Sequence, residues 1–310
     1  MIEYVYHRIR LITTRQIRCA LELASTLNYA KAAERLGISQ PALSYQITSM
    51  EEDLGFRVFD RTDRRTSLTP AGMALCGDLQ SIIESLNTAV ERAQNISRGY
   101  RESISLCIPG RSSMIHLPEI MERFDSTMPS VNLDVMFEYG GSRVNDFVMG
   151  RYDIVFAMAS EIRGIRGVEF VHLFDSRIFL VTRKDDPLAS RDVVSEDDLK
   201  ERVMMVNGSS PPELKRLQER IVSGTDVRTV NCPDVQTGLC NVAAGRSVSL
   251  SPGLGNDRTG EFSWTPFETD VVVPCGLAVR EGESRESVRK LVDIAVDTYS
   301  RDPGDLLRAM

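Results

Sequence analysis

The sequence predicts a multi-domain chain: an all-α winged helix-turn-helix with a long linker helix, then an α/β region of two lobes. Three observations predict it. Capping residues and glycine stops divide residues 16–54 into three helical patterns. A sustained apolar periodicity begins at Thr69 and Pro70. From residue 102 onward, short apolar runs alternate with helical patterns. With 310 residues and 42% hydrophobic content, the chain is long enough to build two or more cores.

Residues 16–26 place Ile17, Ala20, Leu21 and Ala24 on one helical face. Asn28 then stands as the N-cap of a second helix, YAKAAERL, which Gly37 ends. Ser39 caps a third helix, where Pro41 is tolerated in the first turn and Leu43, Ile47 and Met50 point inward. This is a helix-turn-helix. After Gly55, the run FRVFD, a polar tip TDRR and the run TSLT read as a β-hairpin wing with arginines at its apex. In the helix opened by Thr69 and Pro70, Leu75, Leu79, Ile82, Leu86, Ala89 and Ala93 recur at steps of three and four. That spacing is the seam of a helix pair between two subunits, or else the inner face of one amphipathic helix packed on its own domain. Residues 97–102 read as a linker. Beyond it, ISLCI, VNLDVMF, YDIVFAMA, IFLVT, VMMV, VSLS and GLAV alternate with helical patterns. That alternation indicates parallel α/β units, whose ligands sit beyond the strand carboxyl ends.

The net charge is −7, but it is unevenly placed. Residues 1–70 carry ten Lys/Arg against eight Asp/Glu, a balance of +2, and the remainder carries −9. The basic end is therefore the candidate for phosphate contact. No secretory signal or membrane helix is evident at the start, where Glu3, Arg8, Arg10 and Arg15 break the apolar residues, so a cytoplasmic protein is expected. Six cysteines, Cys19, Cys76, Cys107, Cys232, Cys240 and Cys275, form no CxxC pair. With His7, His116 and His172 they offer no metal-ligand spacing and no nucleophile pattern, so neither a cofactor nor catalysis is expected. Cys232 and Cys240 are weighed as a redox pair and read as separate packing thiols.

Residues 28–72 resemble the DNA-binding domain of LysR-type transcriptional regulators. The resemblance rests on Ala32-Ala33, Leu36, Ser39-Gln40-Pro41-Ala42-Leu43-Ser44, Gln46-Ile47, Glu51, Leu54-Gly55, Phe59, Arg61 and Leu68-Thr69-Pro70-Ala71-Gly72. It continues through Leu117-Pro118, LVTRKDDPLA, Val242-Ala243-Ala244-Gly245 and Pro252. It implies a regulator, not an enzyme, that binds double-stranded promoter DNA as a homodimer or dimer of dimers (a homotetramer) and leaves room for contact with RNA polymerase. It also implies a two-lobed effector domain like the periplasmic binding proteins. The resulting division is 12–70 for the head and 71–98 for the dimerisation helix. One lobe takes 102–162 and 267–300, and the other takes 163–266. Residues 1–11 are an extension ahead of the usual family start, read as an arm or as an added DNA contact through Arg8 and Arg10. Residues 301–310 are a tail.

Within the head, the implied DNA-contacting residues are Asn28, Lys31, Ser39, Gln40, Pro41, Ser44, Tyr45, Gln46, Arg61, Arg64 and Arg65. Gln40, Ser44 and Gln46 can bond base edges or phosphates, Pro41 offers an apolar contact, and Tyr45 reaches sugar-phosphate. The wing arginines reach phosphates or the minor groove. For the effector, hydroxyls at helix starts favour an anion, and a carboxylate is the natural guess. The candidates are Arg111, which supplies charge, with Ser112, Ser113, Ser160, Ser209, Ser210 and Thr237. Gly238 and the serines at 247, 249 and 251 depart from the family pattern and predict an unusually polar cleft or a less regular lobe. A small-molecule binding protein with a vestigial head is the alternative reading.

Overall fold

The computed structural model describes residues 12–301 apart from 63, 64, 111, 112, 139–142, 209 and 256–259, and leaves the side chains of 61, 62, 65 and 255 undescribed. The extension 1–11 and most of the tail thus lie outside the described residues. The chain divides into two units, 1–94 and 95–310.

In the first unit, helix α1 (Thr14–Thr26) starts two residues earlier than its apolar pattern suggests, because Thr13 and Gln16 cap it reciprocally. Gln16 N–H donates to the Thr13 hydroxyl at 3.2 Å, and Thr13 N–H donates to Gln16 Oε1 at 2.7 Å. Helix α2 (Tyr29–Leu36) starts at the Asn28 cap and ends at Gly37, and α3 (Gln40–Leu54) starts at Ser39 and ends at Gly55. Ile17, Ala20 and Leu23 of α1 meet Ala32, Ala33, Leu43, Ile47 and Met50 in one core. Leu21 and Ala24, expected inside, are only half-buried, and Leu23 takes their place. Strands β1 (Phe59–Thr62) and β2 (Arg65–Leu68) pair antiparallel from Phe59↔Leu68 to Thr62↔Arg65. The wing tip is therefore shorter than TDRR.

Helix α4 (Pro70–Ser97) is capped by Thr69, whose hydroxyl accepts from Gly72 N–H at 2.8 Å and donates to Arg57 O at 2.8 Å. Its first two turns lie on its own head. A Cβ on Gly72 would stand 2.0 Å from the Val58 carbonyl oxygen, so only glycine allows that approach. Leu79, assigned to the intersubunit seam by spacing, is 4% exposed in the head core, and Leu75 packs against the same core. The uncovered apolar stripe starts one turn later, with Ile82, Leu86 and Val90 all exposed.

The second unit contains β3 (Glu102–Ile108), α5 (Leu117–Thr127), β4 (Val131–Phe137), α6 (Arg143–Val148), β5 (Ile154–Met158) and α7 (Ala159–Ile162). A long strand β6 (Val168–Arg183) follows, then β7 (Val203–Asn207), α8 (Pro212–Gly224), β8 (Arg228–Cys232), α9 (Val235–Ala243) and β9 (Val248–Pro252). Strand β10 (Phe262–Pro266), strand β11 (Val272–Arg280) and helix α10 (Glu286–Arg301) complete it. The strand order is β4-β3-β5-β11-β6-β9-β7-β8, with β10 beside β6. One strand serves both lobes: residues 168–177 of β6 pair with β11, and residues 178–183 pair with β9 and β10. The passage between lobes thus falls inside β6, at Arg177 and Ile178, not ahead of it at 162 and 163.

Ser249 of β9 faces a helix and not the cleft, whereas Ser251 stands next to Pro252 at the strand's carboxyl end. Ser249 pairs beside Met205 of β7, so the two share a face, and that face lies under α9 at Gly238. A Cβ on Gly238 would stand 1.7 Å from Met205 Cε, the flexible end of a buried side chain, which would have to shift to admit it. Ser249 and Ser251 turn their hydroxyls to the Leu250 and Pro252 carbonyls.

Candidate DNA-reading head and interlobe cleft

The start of α3 is open. Ser39, Gln40 and Pro41 are exposed, Ser44 and Gln46 are half-buried, and Tyr45 is 69% exposed. Two of the expected contacts also hold their own helices. Asn28 Oδ1 accepts from Lys31 N–H at 3.0 Å and Ser39 Oγ accepts from Ala42 N–H at 3.3 Å, which leaves the Asn28 amide N–H and the Ser39 hydroxyl proton to donate outward. Lys31 is exposed on the first turn of α2. The backbones of Arg61 and Arg65 flank the wing tip, but their side chains and Arg64 lie outside the described residues.

Glu51, visible in the motif without an assigned task, ties α3 to the wing. Its Oε1 accepts from Val58 and Phe59 N–H, both at 2.9 Å. Together with Thr69 and Gly72, it fixes the chain at Arg57 and Val58 between α3, the hairpin and the start of α4. A groove of about 520 Å³ not anticipated from the sequence runs along α1 and α4. It is lined by Arg15 and Arg18 with Leu36, Ile38, Ile83, Leu86 and Val90.

In the second unit, strand register places the cleft. β6 and β5 both run antiparallel to β11, so β6 leaves the first lobe at that lobe's carboxyl edge. Met158, at the end of β5, is level with Cys275 and Phe174. In the second lobe Pro252, at the end of β9, is opposite Ile178. The two carboxyl edges therefore face each other across four residues of β6, roughly 13 Å at about 3.3 Å per residue.

Of the residues expected to face a ligand, Ser113 and Ser160 follow the adjacent strands β3 and β5 on one edge, and Ser210 and Thr237 follow β7 and β8 on the other. Ser113 is buried and Ser160 half-buried. Ser210 Oγ bonds Asn207 Oδ1 at 3.2 Å, and Thr237 Oγ1 donates to Asp234 Oδ2 at 2.8 Å, so these two hydroxyls already serve local turns. Arg111, Ser112 and Ser209 lie outside the described residues.

An ion pair between a buried arginine and a half-buried glutamate, not foreseen from the sequence, flanks the end of β5. Arg143 Nη2 reaches both carboxylate oxygens of Glu161 at 2.5 Å, Arg143 Nε donates to Phe156 O at 3.1 Å, and Glu161 Oε2 accepts from Met158 N–H at 2.8 Å. Nearby, Tyr299 stacks on Phe174 with ring centroids 5.1 Å apart and meets His116 edge-on at 4.9 Å. At the opposite edge of that lobe, Asp153 accepts from Ser105 N–H at 2.9 Å and from Arg285 Nη1 at 2.8 Å. Arg285 also holds the Glu283 carboxyl down to about 2.

All six cysteines are free. Cys232 is buried with the Asn241 amide 3.6 Å from its sulfur, whereas Cys240 is exposed. Among the described residues, no group of three or more His, Cys, Asp or Glu side chains could hold a metal ion. No described helix is long and apolar enough to cross a membrane.

Residues 14–73 match the family model described as bacterial regulatory helix-turn-helix protein, lysR family, and residues 97–300 match that of the LysR substrate binding domain. The Hca operon transcriptional activator HcaR of Escherichia coli strain K12 is 25% identical over 288 residues, 90% of this chain and 96% of its own length. A probable hydrogen peroxide-inducible genes activator of Streptomyces viridosporus is 28% identical over 186 residues, and the alignment spans 60% of this chain but only 59% of that relative. The crystal structure of CbnR, a LysR family transcriptional regulator, covers 94% of this chain at a TM-score of 0.71. All of the CbnR chain is matched, at 20% identity, so this likeness is one of fold.

Proposed function

The chain belongs to the lysR family of transcriptional regulators, a family of regulators and not of enzymes, and from that premise we propose a cytoplasmic, ligand-controlled reader of promoter DNA. The observation that carries this reading is the open start of α3, where exposed Gln40, Pro41 and Tyr45 project from a helix whose other face is buried in the head core. Such a helix fits a major groove, with exposed Lys31 available to a phosphate and Arg61, Arg64 and Arg65 added from the sequence as the basic residues of the wing. Double-stranded DNA is the partner, read by paired heads in a dimer or dimer of dimers. The stripe of Ile82, Leu86 and Val90 supports pairing along α4, since exposed apolar residues at helical spacing have no task in a monomer.

The effector reading is a small organic anion between the lobes. Its support is the facing of two carboxyl edges and the turns that carry Ser113 and Ser160 on one edge and Ser210 and Thr237 on the other; Arg111, Ser112 and Ser209 join the reading from the sequence alone. A ligand that binds the closed arrangement better than the open one shifts the balance between them, and only that difference in affinity can drive regulation.

The test is anisotropy titration of the full chain on DNA from upstream of its own coding region. Lys31→Ala should weaken binding to all sequences alike and reduce the salt slope by about one. Gln46→Ala should lower the preference for operator over random DNA by roughly tenfold. If neither substitution alters binding, the head has been misread.

A further inference from the structure

The outward side of α3 is apolar at the end where hydrogen-bonding groups would be expected. Buried Leu43, Ile47 and Met50 fix the direction in which this helix faces its own core. At about 100° of rotation per residue, Pro41, Tyr45 and Glu52 lie within about 30° of the direction straight away from that core, and Thr48 within about 50°. All four are exposed. Gln40, Ser44 and Gln46, which carry amides and a hydroxyl, lie toward the flanks. The side chains that reach furthest from the head are therefore not the ones best equipped to bond base edges.

Charge decides which end of this outer stripe can approach DNA. Glu51, Glu52 and Asp53 stand together at the far end of α3, where phosphates repel them, so the end that enters is the one bearing Pro41 and Tyr45. That end has little to offer a phosphate. Pro41 has no N–H, the Ala42 N–H donates to Ser39 Oγ at 3.3 Å, and the Leu43 N–H donates to Ser39 O at 3.0 Å. Tyr45 is 69% exposed and stands outside the group of residues that packs the head. A large ring held outward, one turn after an exposed proline, gains most from an apolar partner. In a major groove the apolar group that the bases present is the 5-methyl of thymine.

We propose that Tyr45 is a specificity-determining residue whose ring, with Pro41 one turn before it, packs on a thymine methyl in the operator. The contact reads a T·A pair through shape and apolar surface. It differs from a bond between the tyrosine hydroxyl and the sugar-phosphate backbone, which would be blind to sequence. Gln40 and Gln46 on the flanks remain free to bond the edges of neighbouring bases.

This inference rests on the head being a DNA reader, and the experiment separates the two. Anisotropy titrations of the full-length wild type, Tyr45→Phe and Tyr45→Ala are run on operator and random duplexes. In a series of operator duplexes each thymine of one half-site is replaced in turn by deoxyuridine, which keeps the pairing and removes only the methyl. At one position, or at two adjacent ones, the wild type should lose roughly fourfold in affinity, the worth of one buried methyl group. Tyr45→Phe should show the same loss at the same position. Tyr45→Ala should bind the thymine and deoxyuridine duplexes equally there, with its affinity for random DNA close to that of the wild type. Both variants should melt with the wild type, because Tyr45 lies outside the core. A wild type indifferent to every replacement would overturn the contact, as would a methyl dependence that survives in Tyr45→Ala. An equal loss on operator and random duplexes in both variants would also overturn it, and would make the hydroxyl a phosphate contact. Failure of the wild type to bind either duplex would instead remove the reading of the head, and the contact with it.

Discussion

Helix α4 contains two glycines within its first eight residues, and they should respond oppositely to the same substitution. At Gly77 nothing lies within 4 Å of the added methyl, so Gly77→Ala should gain the helix preference of alanine, about 1 kcal/mol. At Gly72 the methyl would meet Val58 O at 2.0 Å and Val58 C at 2.8 Å, both backbone atoms of a residue 1% exposed. Either the helix or the segment leading into β1 must move. Overpacking of that kind costs about 3 kcal/mol, and losing the Thr69 N–H bond to Val58 O, 3.0 Å long, adds about 1 kcal/mol. Set against the same helix gain of about 1 kcal/mol, Gly72→Ala should destabilise the head by about 3 kcal/mol, or more than about 10 °C in Tm for a unit of this size. Far-UV circular dichroism follows the helices of both units, while the single tryptophan, Trp264 on β10, reports the second unit alone, so the head's transition is the part of the dichroism change that Trp264 does not follow. Both variants are compared at one protein concentration. If Gly72→Ala proves as stable as Gly77→Ala, the close approach of α4 to Val58 is not what requires glycine, and the account of the Thr69-Pro70-Ala71-Gly72 motif fails.

Asp153→Ala should lower the Trp264 transition by roughly 3 kcal/mol, because it strips the Ser105 N–H and Arg285 of a buried carboxylate, and a change under about 0.5 kcal/mol would contradict that. Glu283, held down to about 2 by Arg285, stabilises the fold above the ordinary glutamate pKa of about 4.3 and loses that contribution as pH falls toward 2. Glu283→Gln should therefore flatten the acid limb of stability between those values, and an unchanged limb would show the pair to be unimportant. A thiol reagent should label one cysteine quickly, Cys240, and the buried thiols slowly, with Cys107 slowed further by a pKa pushed up to about 12 through burial. Peroxide should leave operator affinity unchanged, and a Cys232–Cys240 disulfide found by mass spectrometry would refute the reading of these residues as separate thiols.

The parts of the fold legible in the sequence are those decided locally. Asn28, Gly37, Ser39 and Gly55 mark helix ends because a cap satisfies backbone groups within a few residues, whatever the rest of the chain does. The capping box of Thr13 and Gln16 was equally local, but its signature precedes the apolar pattern and is masked by it. Leu79 shows the limit of periodicity. A seam repeat records only that a residue is buried, and a helix that first crosses its own head before leaving it carries one continuous pattern over two different partners. Ser247, Ser249 and Ser251 alternate with Val248 and Leu250 as a strand should, but nothing in that alternation says that a helix covers the serine face. Arg143 with Glu161 and Asp153 with Arg285 join residues from separate elements, so no spacing rule could have paired them.

In one head Arg35 is already paired with Glu22 at 3.1 Å, and Asn28 and Ser39 each accept a hydrogen bond within their own helices. A head neutralising only a few phosphates binds weakly and with a shallow salt dependence by itself. Joining two such heads through α4 makes the second contact intramolecular, and the gain depends on whether both heads reach their half-sites together. Sensitivity to geometry is thus greatest where each head alone is weak. A ligand that changes the angle between lobes across the short span of β6 from Phe174 to Ile178 need not alter any DNA-contacting residue to alter occupancy. It needs only to bind one spacing of the heads better than another. On this account, raising the intrinsic affinity of each head, for instance by adding basic residues to the wing, should make DNA binding tighter and less responsive to the effector in the same step.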